Sequence, residues 1–285
     1  MNKFYFLVCI CFTLGILQGC GEKAVEKPAL VVEEVVAEPA DVKAPTQTRV
    51  EDPEPLDLSQ FSHTPTEWGE YVDGVKTRMK TEEKQIALTF DACGGAHGSG
   101  YDEELISFLR AEKVPATLFI NQRWIESNEA LFLELAADPL FQIENHGTHH
   151  SPLSVAGGEA WGIQATSSPQ EAHDEIMDNH ETVKLLTGRE MTLFRSGTAF
   201  YDEIAVQLAE AIGYQVVNFD VLGDAGATFS SGQVKNALLN AKEGSIALLH
   251  MNQPQSGTAE GVQQAVSIIR EKGFEFVLLE NKVLE

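Results

Sequence analysis

Ile86-Ala87-Leu88-Thr89-Phe90-Asp91 is five residues of strand composition closed by a carboxylate. Six further β-rich runs follow, at 116–120, 141–145, 191–194, 215–219, 245–249 and 274–279. They alternate with amphipathic stretches, the pattern of βα units rather than of a sandwich or a helical bundle. Ile204, Leu208 and Ile212 recur at helical spacing ahead of Gly213, while Ser168-Pro169-Gln170-Glu171 reads as an N-cap, a first-turn proline and a capping-box Glu. The expected fold is α/β, with parallel strands arranged as a barrel.

What stands after each run carries the chemistry. Asp91 follows the first, His146 the third, Arg195 the fourth, Asp220 the fifth and His250 the sixth. The ends of parallel barrel strands face one way, so these residues should gather at a single mouth. His146-Gly147-Thr148-His149-His150 offers imidazoles four apart, a spacing that lets His146 and His150 reach one ion, with His149 turned away. A divalent metal is therefore expected, zinc first, although imidazole also suits nickel, cobalt or iron. Gly94 to Gly100 is glycine-rich but has no Lys-Ser or Lys-Thr ending, which argues against a phosphate loop. The stretch 151–168, with Trp161, exceeds an ordinary βα connection and suggests a lip on a binding groove.

Outside this region the chain changes character. Lys3 precedes an apolar run, 4–17, which ends in Leu17-Gln18-Gly19-Cys20. That run is short for a permanent span and reads as a signal peptide over 1–19. Its ending resembles the bacterial lipobox, so Cys20 is the expected site of lipidation and the membrane a partner through that anchor. Gly21 after the cysteine resembles outer-membrane sorting in a host with two membranes. Residues 20–80 are expected to form an acidic, proline-rich tether with an N-terminal extension containing Trp68 and Tyr71, ahead of a domain over 81–285. Asp plus Glu number 43 against 20 Lys plus Arg, a formal net charge of -23, which excludes nucleic acid as an expected partner.

Taken in order, five motifs resemble the NodB-homology polysaccharide deacetylases, carbohydrate esterase family 4. They are Thr89-Phe90-Asp91, His146 to His150, Phe194-Arg195 with Tyr201, Phe219-Asp220 to Asp224, and Leu248-Leu249-His250. The resemblance implies a distorted (β/α) barrel of about seven strands and removal of N-acetyl groups from a β-1,4-linked amino-sugar glycan. It also implies Asp91 as general base, His146 and His150 as metal ligands, Arg195 as partner of Asp91, and His250 as general acid held by a carboxylate. Asp220 is preferred for that carboxylate, with Asp224 as competitor. Backbone N–H groups around Phe200 and Tyr201 would bind the oxyanion. Peptidoglycan or a chitooligosaccharide would be the glycan, and the cell envelope the location.

The chain departs from the family pattern at Ala92, where a second aspartate, a metal ligand, would stand. Water, Cys93, His97, Asp102 or Asp91 itself could take its place. Ser196-Gly197-Thr198 lacks the usual proline, and the fourth motif lacks its tryptophan. Two rival readings follow: a silent glycan-binding protein on the same fold, and a hydrolase of another C–N bond.

Overall fold

The computed structural model describes residues 56–285; the leader, Cys20 and most of the expected tether lie outside the described residues. Ten strands and six helices run in the order β1 Gln85–Ala92, α1 Glu103–Glu112, β2 Ala116–Ile120, α2 Gln122–Ala137, β3 Phe141–Asn145, β4 Glu159–Ala160, β5 Ile163–Gln164 and α3 Pro169–Thr187. There follow β6 Leu193–Phe194, α4 Glu203–Ala211, β7 Gln215–Val216, β8 Val221–Leu222, α5 Ser231–Leu239, β9 Ser245–His250, α6 Thr258–Glu271 and β10 Glu275–Phe276.

Seven strands lie side by side in the order β7-β6-β3-β2-β1-β9-β8, every pair parallel, and the sheet curls into a distorted, open (β/α) barrel. The eighth, β10, pairs with Gln85 and Ile86 of β1, below the point where β2 begins at Thr89. Period-two alternation sorts the side chains into two layers. Ile86, Leu88, Phe90 and Ala92 of β1 join the apolar cluster that packs against the helices. Ala87, Phe119, Leu193, Val217, Ile246 and Leu248 form a second cluster inside the curl. Asp91 and His250 share the parity of the inner set and stand opposite each other in register.

Three expected strands contract, 191–194 to β6, 215–219 to β7 and 274–279 to β10. The run 215–219 pairs only at Gln215 and Val216, because the chain then leaves β6 and crosses to β9, where Val221 and Leu222 pair with Ala247 and Leu248. Asp220 thus precedes a strand instead of following one. Below β8 the gap is bridged by the N-terminal extension, with Lys76 paired to Val217, Arg78 to Ser245 and Met79 to Leu284.

The helix start at Ser168 forms as an N-cap, its hydroxyl accepting from Glu171 N at 3.2 Å. Glu171 returns its carboxylate to Ser167 N and Oγ, one residue before the cap. Among the described residues no helix is long and apolar enough to cross a membrane.

Candidate active site

At the C-terminal ends of the strands lies a cleft of about 770 Å³ lined by Asp91, Cys93, His150, Trp161, Thr198, Leu248 and His250, among others. Asp91 is 4% exposed and its Oδ1 accepts from Arg195 Nη1 at 2.8 Å. Arg195 has no exposed surface. It donates Nε to Val217 O, Nη1 also to Thr89 Oγ1, and Nη2 to Asn218 O, while its guanidinium lies 4.2 Å from the centre of the Phe119 ring. Such a fully bonded guanidinium fixes the carboxylate in place.

His146 stands one residue beyond β3, its Nε2 3.7 Å from Asp91 Oδ2 and 3.8 Å from Cys93 Sγ. Its Nδ1 lies 2.9 Å from Arg195 O, a carbonyl that can only accept, so Nδ1 carries a proton and Nε2 is the ring atom turned toward Asp91 and Cys93. His150 packs edge-on against His146 with ring centres 5.0 Å apart. Its Nε2 is buried without a hydrogen-bond partner among the described residues. One donor atom each from Cys93, His146 and His150 lie within 4.8 Å of one another. An orphaned imidazole nitrogen, a second imidazole oriented by its Nδ1 bond and a thiol make a set that fits a divalent metal ion.

The loop that presents these imidazoles is held from three sides. Asn121 Nδ2 donates to the carbonyls of His146 and Gly147, and Asn145 Oδ1 accepts from Gly147 N. From α3 the buried Glu175 accepts from His149 N at 2.9 Å and Ser151 N at 3.1 Å. Gly147 has φ +79°, and a Cβ there would lie 2.4 Å from Glu175 Oε1, so only glycine fits. His150 itself adopts φ +65°, a left-handed conformation that the surrounding bonds have to sustain. The side chain of His149 points out of the site and is exposed. Glu175 was absent from the sequence expectations because nothing in α3 marks it apart from other helix-face glutamates.

On the neighbouring strand β9, His250 Nδ1 is 2.8 Å from Asp224 Oδ1, and its backbone N–H donates to Asp224 Oδ2 at 2.7 Å. Thr258 Oγ1 also donates to Asp224 Oδ2. Burial by itself would lower the His250 pKa, but the charge and hydrogen bonds of Asp224 raise it well above the usual imidazole range. Asp224 is held below the usual carboxylate range, burial being outweighed by His250, Thr258 and a backbone N–H.

Two expectations are corrected. Asp220 does not face His250: its Oδ1 accepts from Ile246 N and its Oδ2 from Ser245 Oγ and Arg78. That places it four residues down β9 from His250, about 13 Å along the strand. Asp224, two residues past β8, is the carboxylate at His250. Nor can Tyr201 offer its backbone N–H to an oxyanion, because that group donates to Gly69 O at 2.9 Å in the bridge to the N-terminal extension. Its hydroxyl donates to Asn218 Oδ1 and accepts from Ser196 N. Phe200 packs between Trp68 and Trp161, with ring centres 5.8 Å away on each side. Gly197, Thr198 and Ala199 line the cleft in their place, and Thr198 Oγ1 is buried without a partner among the described residues.

Of the remaining candidates, His97 is exposed at the cleft rim. Asp102 caps α1 by accepting from Leu105 N. Ala92 belongs to the apolar layer under the helices.

Residues 78–217 match the family model of polysaccharide deacetylases. Among solved structures the chain is similar to a family 4 carbohydrate esterase from Bacillus anthracis, 25% identical with a TM-score of 0.57 over 73% of this chain and 86% of that one. It superposes on the Bc1960 peptidoglycan N-acetylglucosamine deacetylase with 20% identity and a TM-score of 0.61, covering 72% and 91%. Wild-type BA3943, described as a family 4 pseudoenzyme from Bacillus anthracis, gives 19% identity and a TM-score of 0.60 over 72% and 67%.

Proposed function

We propose, from the premise that this chain carries a polysaccharide deacetylase domain, that it hydrolyses the N-acetyl group of an amino sugar in peptidoglycan or a chitin-like glycan, working from a lipid anchor on Cys20 in the cell envelope. The observation that carries the reading is the placement in one cleft, on neighbouring strands, of an Arg-fixed carboxylate, Asp91, and an Asp-fixed imidazole, His250. A base and an acid held ready side by side suit amide hydrolysis, which needs one proton removed from water and one delivered to the leaving nitrogen.

His146 and His150 would hold a divalent ion, zinc being the best match to their donor set. When bound, such an ion supplies Lewis-acid polarisation of the acetyl carbonyl and a more acidic water. Asp91, held in position by Arg195, takes a proton from the attacking water. The water oxygen bonds to the acetyl carbon, the C–N bond breaks, and His250 delivers its Nε2 proton to the departing amine. Acetate and a free amino sugar result. Asp224 keeps His250 protonated for that step and returns it to the same orientation afterwards. Thr198 Oγ1, buried at the cleft wall without a partner, is placed to donate to the developing oxyanion.

Ala92 favours one second reading, a glycan-binding protein on the same fold without turnover. Acetate and free amine are measured after incubating metal-loaded protein with chitooligosaccharides and with peptidoglycan. Release of both in equal amounts supports deacetylation. Glycan binding by the loaded protein with no acetate supports the second reading and removes the first.

A further inference from the structure

We infer that Cys93 is the third protein ligand of the metal, so that the ion sits in a thiolate–imidazole–imidazole site; this rests on the metal-dependent reading above. Strand parity makes the case. Ala92 points out of the curl into the helix-facing apolar layer, with no exposed surface. A carboxylate there, in register with Ile120 of β2, would be buried in that apolar layer rather than aimed at the histidines. Residue 93 returns to the parity of Asp91, and Cys93 Sγ stands 3.8 Å from His146 Nε2. That separation is close to the edge, roughly 3.6 Å, of a tetrahedron built from a Zn–S bond of about 2.3 Å and a Zn–N bond of about 2.0 Å.

The backbone is shaped to keep the thiol there. Gly94 and Gly95 have φ of +69° and +77°, turning the chain immediately after Cys93. A Cβ on Gly94 would lie 2.4 Å from Trp124 N, so the turn presses against the start of α2. Arg123 Nη2 donates to Cys93 O at 3.0 Å and fixes the orientation of that carbonyl. The orphaned Nε2 of His150 completes the triangle. Asp91 is not part of the set whose donor atoms all lie within 4.8 Å of one another, and with Oδ1 held by Arg195 it is left to act as the base.

The experiment is cobalt substitution of the full chain in detergent, read by absorption. Wild type should show a thiolate-to-cobalt charge-transfer band in the near ultraviolet, which Cys93→Ala and Cys93→Ser lose and His250→Ala keeps. Competition with a chelator should show zinc held at least tenfold more weakly by Cys93→Ala. Loaded wild type should also protect Cys93 from iodoacetamide, with metal-free protein alkylated there. Cys93→Asp guards against loss of folding, since it supplies a carboxylate and should bind cobalt without the band. A loaded wild type lacking the band, or a Cys93→Ala protein with the same band and affinity, overturns the assignment. A band without acetate release keeps the thiolate site and sinks the deacetylase reading. Acetate release without the band does the reverse.

Discussion

Arg195 donates to Val217 O, Thr89 Oγ1, Asp91 Oδ1 and Asn218 O from a position with no solvent exposure. Removing the guanidinium would strand a buried carboxylate and two backbone carbonyls. Arg195→Met should therefore cost about 3–5 kcal/mol of stability, read from urea unfolding; a loss below 1 kcal/mol would contradict the network. His250 gives a pH prediction. Its raised pKa means that its ion pair with Asp224 stabilises the fold fully below about pH 6.5 and that this contribution is lost as pH rises through the raised value. The same proton is the one delivered to the amine, so the alkaline limb of kcat/KM should lie well above 6.5 and move down in Asp224→Asn. An unmoved limb would mean that another group sets it. Asp91, His146, Arg195 and His250 were legible because each closes or follows a run of strand composition. Asp224 was misread for the same reason: its strand is two residues long, and Asp220 sits just before it, at the end of a run that looked like the strand. Tyr201 was misread because the partner of its backbone N–H, Gly69, lies in an extension whose docking no local pattern announces.

β1 and β2 were legible as elements because largely apolar runs buried on both faces leave little room for another reading, and β3, Phe141–Asn145, because its apolar and polar residues alternate. The β4–β5 hairpin was not, since two-residue strands have no periodicity to detect. It occupies the long 151–168 stretch and carries Trp161, 76% exposed, on the cleft lip with its ring edge-on to Phe200. An exposed indole beside a glycan cleft suits stacking on a sugar ring. Trp161→Ala should raise KM for an oligosaccharide about 3- to 10-fold, the equivalent of roughly 0.5–1.5 kcal/mol, and leave the melting temperature unchanged; a drop in melting temperature with KM intact would make it a packing residue. β3 also carries a titrating tie to β6. Glu144 accepts from Thr192 N, Leu193 N and Gln142 Nε2, yet burial outweighs these bonds and raises its pKa to about 7. The unfolded carboxyl ionises first, near 4.5. Stability should accordingly fall by up to about 3 kcal/mol as pH rises from the unfolded value to the folded one. Glu144→Gln should flatten that slope in urea midpoints taken across the range, and an equally steep slope would assign it to another group.

At the scale of the whole molecule, the catalytic wall and the N-terminal extension are one structure. Gly69 is bridged to Tyr201, and Lys76 and Arg78 close the lower gap between Val217 and Ser245. The segment that completes the barrel is therefore also the segment that would connect the domain to the proposed lipid site at Cys20. With a formal net charge of -23, the chain would be repelled by an anionic bilayer surface, so electrostatics cannot retain it there. Stable attachment has to come from acyl chains, and more than one, since a single chain binds only marginally. The proposed lipid on the sulfur and amine of Cys20 meets that requirement. Cys20→Ser should move the protein from the membrane to the soluble fraction and into the aqueous phase on detergent partitioning, while turnover of a soluble chitooligosaccharide stays unchanged. Release of the wild-type protein by a high-salt wash, or retention of Cys20→Ser in the membrane fraction, would show that something other than lipid holds it.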